Sequence, residues 1–388
     1  MARAPAFRAA FGVVALSSLT AACAAILGFE RLEEDAPVTP VVDGATDAPS
    51  ADDGGSDAPQ DPLCSTVGVP DPPAAQPGGD AGDIEQDFAI SSVDFGLDTS
   101  IDPVGLNIDR RCTTSLASST CKLPSPDQLA RAIDYDGGVD NSGYSLVQQL
   151  SLLGEAFAPK NINERLQRGE YGFIVRVRNY NGTPNDDAIG VEVYPALRHG
   201  VPPSVPDGGR GDLWVRDQSY NFVNSSTIRS SLAYVSAGVV VAFFETFEMP
   251  LSAPEQTPST RRMVVKLRDV WLRAQLVKLP DGNDGARGVL AGRWSTLDFL
   301  RQVRSLDVPN LGTICKQSFV YLQAKNTLCP GRDVRGRAVD DDKDLPCDAV
   351  SAGLAFTAYA VDTSTSEPPP VIPDPCVEAG IADDDDCP

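Results

Sequence analysis

Tyr171-Gly172-Phe173-Ile174-Val175-Arg176-Val177-Arg178 is the stretch on which the fold class turns. Tyr171, Phe173, Val175 and Val177 alternate with Gly172, Ile174 and two arginines. That period of two sends one set of side chains to one face of a strand. The pattern continues outward. After a turn-rich stretch from Asn179 to Asp187, Ile189, Val191 and Val193 repeat it. Residues 233–244 hold two short apolar runs broken at Ser236-Ala237-Gly238, a hairpin signal. Met263, Val265 and Leu267, then Val270, Leu272, Ala274 and Leu276, alternate again. A loop from Asp281 to Gly285 precedes a strand at Gly288 to Ala291, and Leu354, Phe356, Ala358 and Ala360 close the series. Strands at this spacing predict a mainly β (α+β) domain, built as a β-sandwich or jelly-roll-like sheet pair.

A few short helices interrupt the strands. Leu146, Leu150, Leu153 and Phe157 recur at helical spacing, with Asn141 or Ser142 as the cap. Leu297, Leu300 and Val303 follow Ser295 or Thr296. Ile314, Phe319, Leu322 and Leu328 predict one helix over 312–328.

Charge divides the 388 residues further. The net charge of −22 is concentrated at the ends. Residues 24–83 carry thirteen acidic residues against one basic, and residues 363–388 carry seven against none. The middle, 84–362, has 34 against 29 and is close to neutral. Asp35 to Asp83 is made of Asp, Pro, Ala, Gly, Ser and Thr, too poor in large apolar residues to offset the entropy of ordering. The expected organisation is a signal peptide over 1–22, a lipidated cysteine and disordered acidic tether over 23–83, one globular domain over 84–362 and a disordered acidic tail over 363–388. The net charge of −22 argues against nucleic acid as a partner, because its phosphates demand a basic surface.

The N-terminus gives an address. Arg3 and Arg8 precede an uncharged apolar run from Ala9 to Ala22, too short to span a bilayer. The run ends Thr20-Ala21-Ala22-Cys23, which resembles a bacterial lipoprotein signal with Cys23 as the acylated residue. Ala24 after it resembles the pattern that sends such proteins to the outer membrane. The alternative is an ordinary cleaved signal. Removing Cys23 from nine cysteines leaves eight, the even number an oxidising compartment favours. Spacing suggests Cys112 with Cys121 and Cys376 with Cys387. A helix over 312–328 would hold Cys315 and Cys329 about 21 Å apart, so Cys329 is assigned to Cys347 and, by elimination, Cys64 to Cys315.

Several phrases carry a likeness. Gly105-Leu106-Asn107-Ile108-Asp109, Gly137-Gly138-Val139-Asp140-Asn141, Asn179-Tyr180-Asn181-Gly182, Leu290-Ala291-Gly292-Arg293 and Pro346-Cys347-Asp348-Ala349 stand beside a lipoprotein signal and an Asp/Ala/Pro-rich tether. Together they resemble uncharacterised outer-membrane lipoproteins of myxobacteria. The resemblance implies an envelope location, lipid-anchored and exposed to periplasm or cell surface, and a tethered architecture. It implies no chemistry.

The search for chemistry is mostly negative. His199 is the sole histidine, and no G-x-S-x-G, Walker, G-x-G-x-x-G or H-E-x-x-H pattern occurs. Glu245 and Glu248 lie three apart on a strand and so face opposite sides. The strongest candidate is Asp134-Tyr135-Asp136-Gly137-Gly138-Val139-Asp140-Asn141. Its carboxylates Asp134, Asp136 and Asp140, with Asn141, resemble a calcium loop. Calcium takes 6–8 oxygen ligands, and Asn107 and Asp109 are the expected contributors of those the loop lacks. The plain alternative is a turn suited to left-handed backbone angles. Two function classes follow: a non-catalytic binding or envelope-structural module with a protein or carbohydrate partner, and a carbohydrate-active enzyme or calcium-dependent lectin. Two carboxylates in one groove with exposed aromatics such as Trp214 or Trp271 would mark the second.

Overall fold

A computed structural model describes residues 62–75, 82–96, 104–125, 129–153, 159–167, 171–197, 228–250, 264–280, 282, 284–304, 307–308, 312–315, 318–361, 376 and 385–387. The apolar alternation becomes β1 (Ile84–Asp94), β2 (Tyr171–Tyr180), β3 (Gly190–Leu197), β4 (Ile228–Arg229), β5 (Leu232–Ser236), β6 (Val239–Pro250), β7 (Val264–Lys278) and β8 (Asp284–Ser295). After a two-stranded ribbon of β9 (Asp307–Val308) and β10 (Gly312–Thr313), the chain ends its sheet with β11 (Ala349–Val361). Among the described residues, nine strands form one antiparallel sheet in the order β4-β3-β2-β1-β11-β8-β7-β6-β5. The first and last strands of the sheet therefore meet at its centre, with Phe88 opposite Ala360.

The fold is mainly β, and its two facing layers are halves of one curled sheet. The edges meet: Asp186, in the β2–β3 loop, and Val235 of β5 exchange backbone hydrogen bonds of 2.9 and 2.8 Å. Ser230 N donates to Val191 O, and Ser231 N donates to Phe243 O, tying β3 to β6 through the segment after β4. Ile174, Val191, Val240, Phe244, Val270 and Leu272 are buried in one cluster drawn from both halves. Each such side chain contributes about 1.5–3 kcal/mol by leaving water. The β5–β6 hairpin turns as its sequence suggests, with Ala237 and Gly238 both left-handed, at φ 49° and 79°.

Five α-helices appear among the described residues: α1 (Leu129–Ala132), α2 (Tyr144–Leu153), α3 (Pro159–Gln167), α4 (Thr296–Arg304) and α5 (Phe319–Leu328). Two expectations change here. Asn141 and Ser142 do not cap α2: Asn141 Nδ2 donates to Phe95 O and Val104 O, and Ser142 Oγ donates to Gly331 O. The helix predicted over 312–328 is α5 alone. Gly312–Thr313 pairs with β9, Cys315 is left-handed at φ 37°, and Ser318 Oγ caps α5 by accepting from Tyr321 N.

All eight described cysteines are paired, but none of the four expected pairings occurs. The bonds are Cys64–Cys112, Cys121–Cys347, Cys315–Cys376 and Cys329–Cys387. Contacts between distant segments bring two of these pairs together. Lys122 N donates to Leu345 O and Cys347 N to Lys122 O, which lays Cys121 beside Cys347. Asp385 accepts from Lys325 Nζ and Tyr321 Oη on α5, which brings Cys387 to Cys329.

The same bonds move the boundaries of the folded body. Residues 62–75 belong to it: Val67 is buried against Leu106, Ile108 and Ala291, Tyr234 Oη donates to Pro70 O, and Arg273 Nη1 donates to Gly68 O. From the acidic C-terminal segment, Cys376 is buried and residues 385–387 pack on α4 and α5. Cys23 and, apart from Gly82 and Asp83, the remainder of both end segments lie outside the described residues.

Candidate functional site

The acidic loop forms a tight hairpin. Tyr135 N donates to Val139 O and Gly138 N to Tyr135 O, so the register sets Asp134 opposite Asp140 and puts Asp136 at the exposed tip. Gly138 stands at φ +76°, and a Cβ there would lie 2.5 Å from Arg111 O and 2.6 Å from Asn107 Nδ2. Only glycine lets the 107–111 segment pack so closely on this turn. That packing brings Asp109 in. Asp109, Asp134 and Asp140 each place a carboxylate oxygen within 4.8 Å of the other two.

Three of the six expected metal ligands thus converge. Asp136 does not, because it occupies the turn tip. Asn141 is committed elsewhere: besides its two donated bonds, its Oδ1 accepts from Gly353 N at 3.0 Å. Asn107 stays beside the group, with Oδ1 accepting from Arg111 N. Asp333, which sequence reasoning missed, joins the same region from beyond α5, and its charge acts on both Asp134 and Asp140. A lone aspartate in Arg332-Asp333-Val334 gives no periodic or motif signal that would have found it.

Backbone amides orient the carboxylates. Asp140 Oδ2 accepts from Ile108 N at 2.8 Å and Asp109 N at 3.3 Å. Asp109 accepts from Arg111 N and Thr120 Oγ1, and Asp134 Oδ2 from Thr113 N. Asp333 accepts from Ser351 N and Oγ. Burial and mutual repulsion still outweigh these bonds. Burial, with Asp109 and Asp333 nearby, pushes Asp134 up to about 8. Burial lifts Asp140 well above the usual carboxylate range, and Asp109, Asp134 and Asp333 add to it. Burial raises Asp109 despite its hydrogen bonds and Arg293, and raises Asp333 to about 6. Crowded carboxylates of this kind either share protons or share a cation.

One buried cation supports the edge of the group. Arg293 on β8 is fully buried, pairs with Asp341 through Nη1 and Nη2 at 2.5 and 2.8 Å, and donates to Ile108 O and Arg335 O at 3.1 Å each. It thereby holds the backbone between Asn107 and Asp109 against the sheet.

A pocket of about 540 Å³ opens beside the carboxylates, lined by Asp134, Asp333, Tyr135, Tyr144, Asn141 and Gln148 among others. Among the described residues that line it, none is basic. Trp271 is no part of it: the indole packs on Phe243, ring centroids 4.9 Å apart, and on the Val67 cluster. Glu248 pairs with Lys266 at 3.0 Å, away from this pocket. His199 and Trp214 lie outside the described residues. No protein-family model matches the chain, and no curated protein or solved structure is significantly similar to it.

Proposed function

We propose that this chain is an exported, lipid-anchored envelope protein whose β domain is a non-catalytic binding module. Its binding site is the acidic pocket, with calcium held beneath it by Asp109, Asp134 and Asp140. The observation that carries the reading is the convergence of those three carboxylates, drawn from two segments, at a pocket that Asp134 also lines. Three carboxylates leave several of calcium's 6–8 positions for water, backbone oxygens or a ligand in the pocket. Four disulfides that use every cysteine except Cys23 support an oxidising compartment and leave that one thiol for acylation. Titration calorimetry of metal-free full chain with calcium tests the site. One-site binding, abolished by Asp140→Asn, is expected; no binding at millimolar calcium would overturn it. Mass spectrometry of the native N-terminus tests the anchor, and an unmodified Cys23 would remove it.

A second reading, a carbohydrate-active enzyme, has one specific observation in its favour. Asp134 and Asp333 line the same pocket with pKa values lifted to about 8 and about 6, which suits an acid and a base near neutral pH. Release of reducing sugar by the wild type, lost in Asp333→Asn, would favour it over the first.

A further inference from the structure

We infer that the ligand of the pocket is a pyranose saccharide bearing hydroxyl or amino groups and no acidic group. The inference rests on the binding-module reading and names the class of molecule bound. The volume of about 540 Å³ lies within the range of small-molecule sites, roughly 300–1,000 Å³. Even with one calcium among them, Asp109, Asp134, Asp140 and Asp333 leave the site net negative, and no cationic side chain lines it among the described residues, which disfavours an acidic sugar, a phosphate ester or a nucleotide. A purely apolar ligand would strip water from the Asp134 and Asp333 carboxylates and the Gln148 amide.

What remains is a molecule with both an apolar face and a polar rim. Tyr135 supplies the matching surface. Tyr135 is 42% exposed and stands on the hairpin that Gly138 locks against residues 107–111. Its hydroxyl lies near Tyr144, which lines the same pocket. A pyranose lays its C–H face on such a ring and turns its hydroxyls to the edges. Asp134, Gln148 and Ser145 offer acceptors and donors around that ring.

The test uses full-length chain in detergent and affinity electrophoresis with three immobilised polymers: a neutral glucan, chitosan and polygalacturonate. Retardation by the glucan or by chitosan, and not by polygalacturonate, is expected; which of the two retards the chain tells a hydroxyl from an amino ligand. Tyr135→Ala should weaken retention about tenfold, while Tyr135→Phe keeps most of it, with melting temperatures unchanged in both. Retention on polygalacturonate, retention on none, or an undiminished Tyr135→Ala variant would overturn the inference. So would displacement of the chain from chitosan by oligolysine at equal charge, which would mark a cationic peptide as the ligand. Calcium binding by the same samples separates the two levels: if it persists while all polymers fail, the binding-module reading stands and the saccharide falls.

Discussion

Replacing Arg293 by methionine keeps an apolar stem of similar reach and removes the guanidinium. The side chain is fully buried, whereas Asp341 is 21% exposed, so the orphaned carboxylate can regain only part of its hydration. Ile108 O and Arg335 O lose a donor as well. Breaking one partner of a buried pair costs about 3–5 kcal/mol, most of it the stranded partner's desolvation. For a folded body of this size 1 kcal/mol moves the melting temperature by about 2 °C, so a fall of roughly 6–10 °C is expected by calorimetry. Combining Arg293→Met with Asp341→Asn removes the stranded charge and should restore about 2 kcal/mol relative to simple addition of the single effects. A loss under about 1 kcal/mol in the single variant, or strict additivity in the double, would refute the buried-pair account.

Three further outcomes follow from the carboxylates, the turn and the cysteines. In chelator, Asp134 and Asp333 bind protons more tightly folded than unfolded, so their contribution is full below the ordinary 3.8 and falls as pH rises through about 6 and then about 8. Urea midpoints should decline between pH 5 and 8.5 without calcium and flatten with it; a midpoint that climbs across this range in chelator would contradict the clustering. Gly138→Ala should cost about 1–3 kcal/mol and weaken calcium binding, because a Cβ meets the Arg111 backbone. Gly282→Ala, at φ +85° in open space, should cost about 1 kcal/mol and leave calcium binding alone. Peptide mapping without reductant should recover Cys64–Cys112 and Cys121–Cys347, and a Cys112–Cys121 peptide would be incompatible with this fold.

Strands such as β2 and β7 were legible because their apolar alternation runs over several residues; in β7 it survives on both sides of a bulge between Arg268 and Trp271, where the period shifts from Leu267 to Val270. β1 was not. A bulge between Ile90 and Ser92 slips its register, so Phe88, Ile90 and Val93 fall out of period two. The seven-residue cycle from Asp134 to Asp140 was legible as a turn bearing carboxylates, but which of them converge depends on hairpin register, and that excluded Asp136. Asn141 looked like a ligand because its chemistry suits one; the structure uses it as a three-way tie among Phe95, Val104 and Gly353. Asp333 and the disulfide partners depend on contacts between remote segments, for which local spacing holds no information. Composition judged 62–75 by its lack of large residues, yet Val67 and one disulfide suffice to dock it.

The disulfide bonds keep the folded polypeptide in one covalent piece after most single nicks. Cys121–Cys347, Cys315–Cys376 and Cys329–Cys387 enclose overlapping intervals, while Cys64–Cys112 closes a separate one. Between Cys64 and Cys387, one broken peptide bond therefore leaves a single covalent molecule wherever it falls, unless it falls between Cys112 and Cys121. The residues there are Thr113-Thr114-Ser115-Leu116-Ala117-Ser118-Ser119-Thr120, with no lysine or arginine. A trypsin-like protease acting once on the folded body can open a loop of this protein, but it cannot divide it.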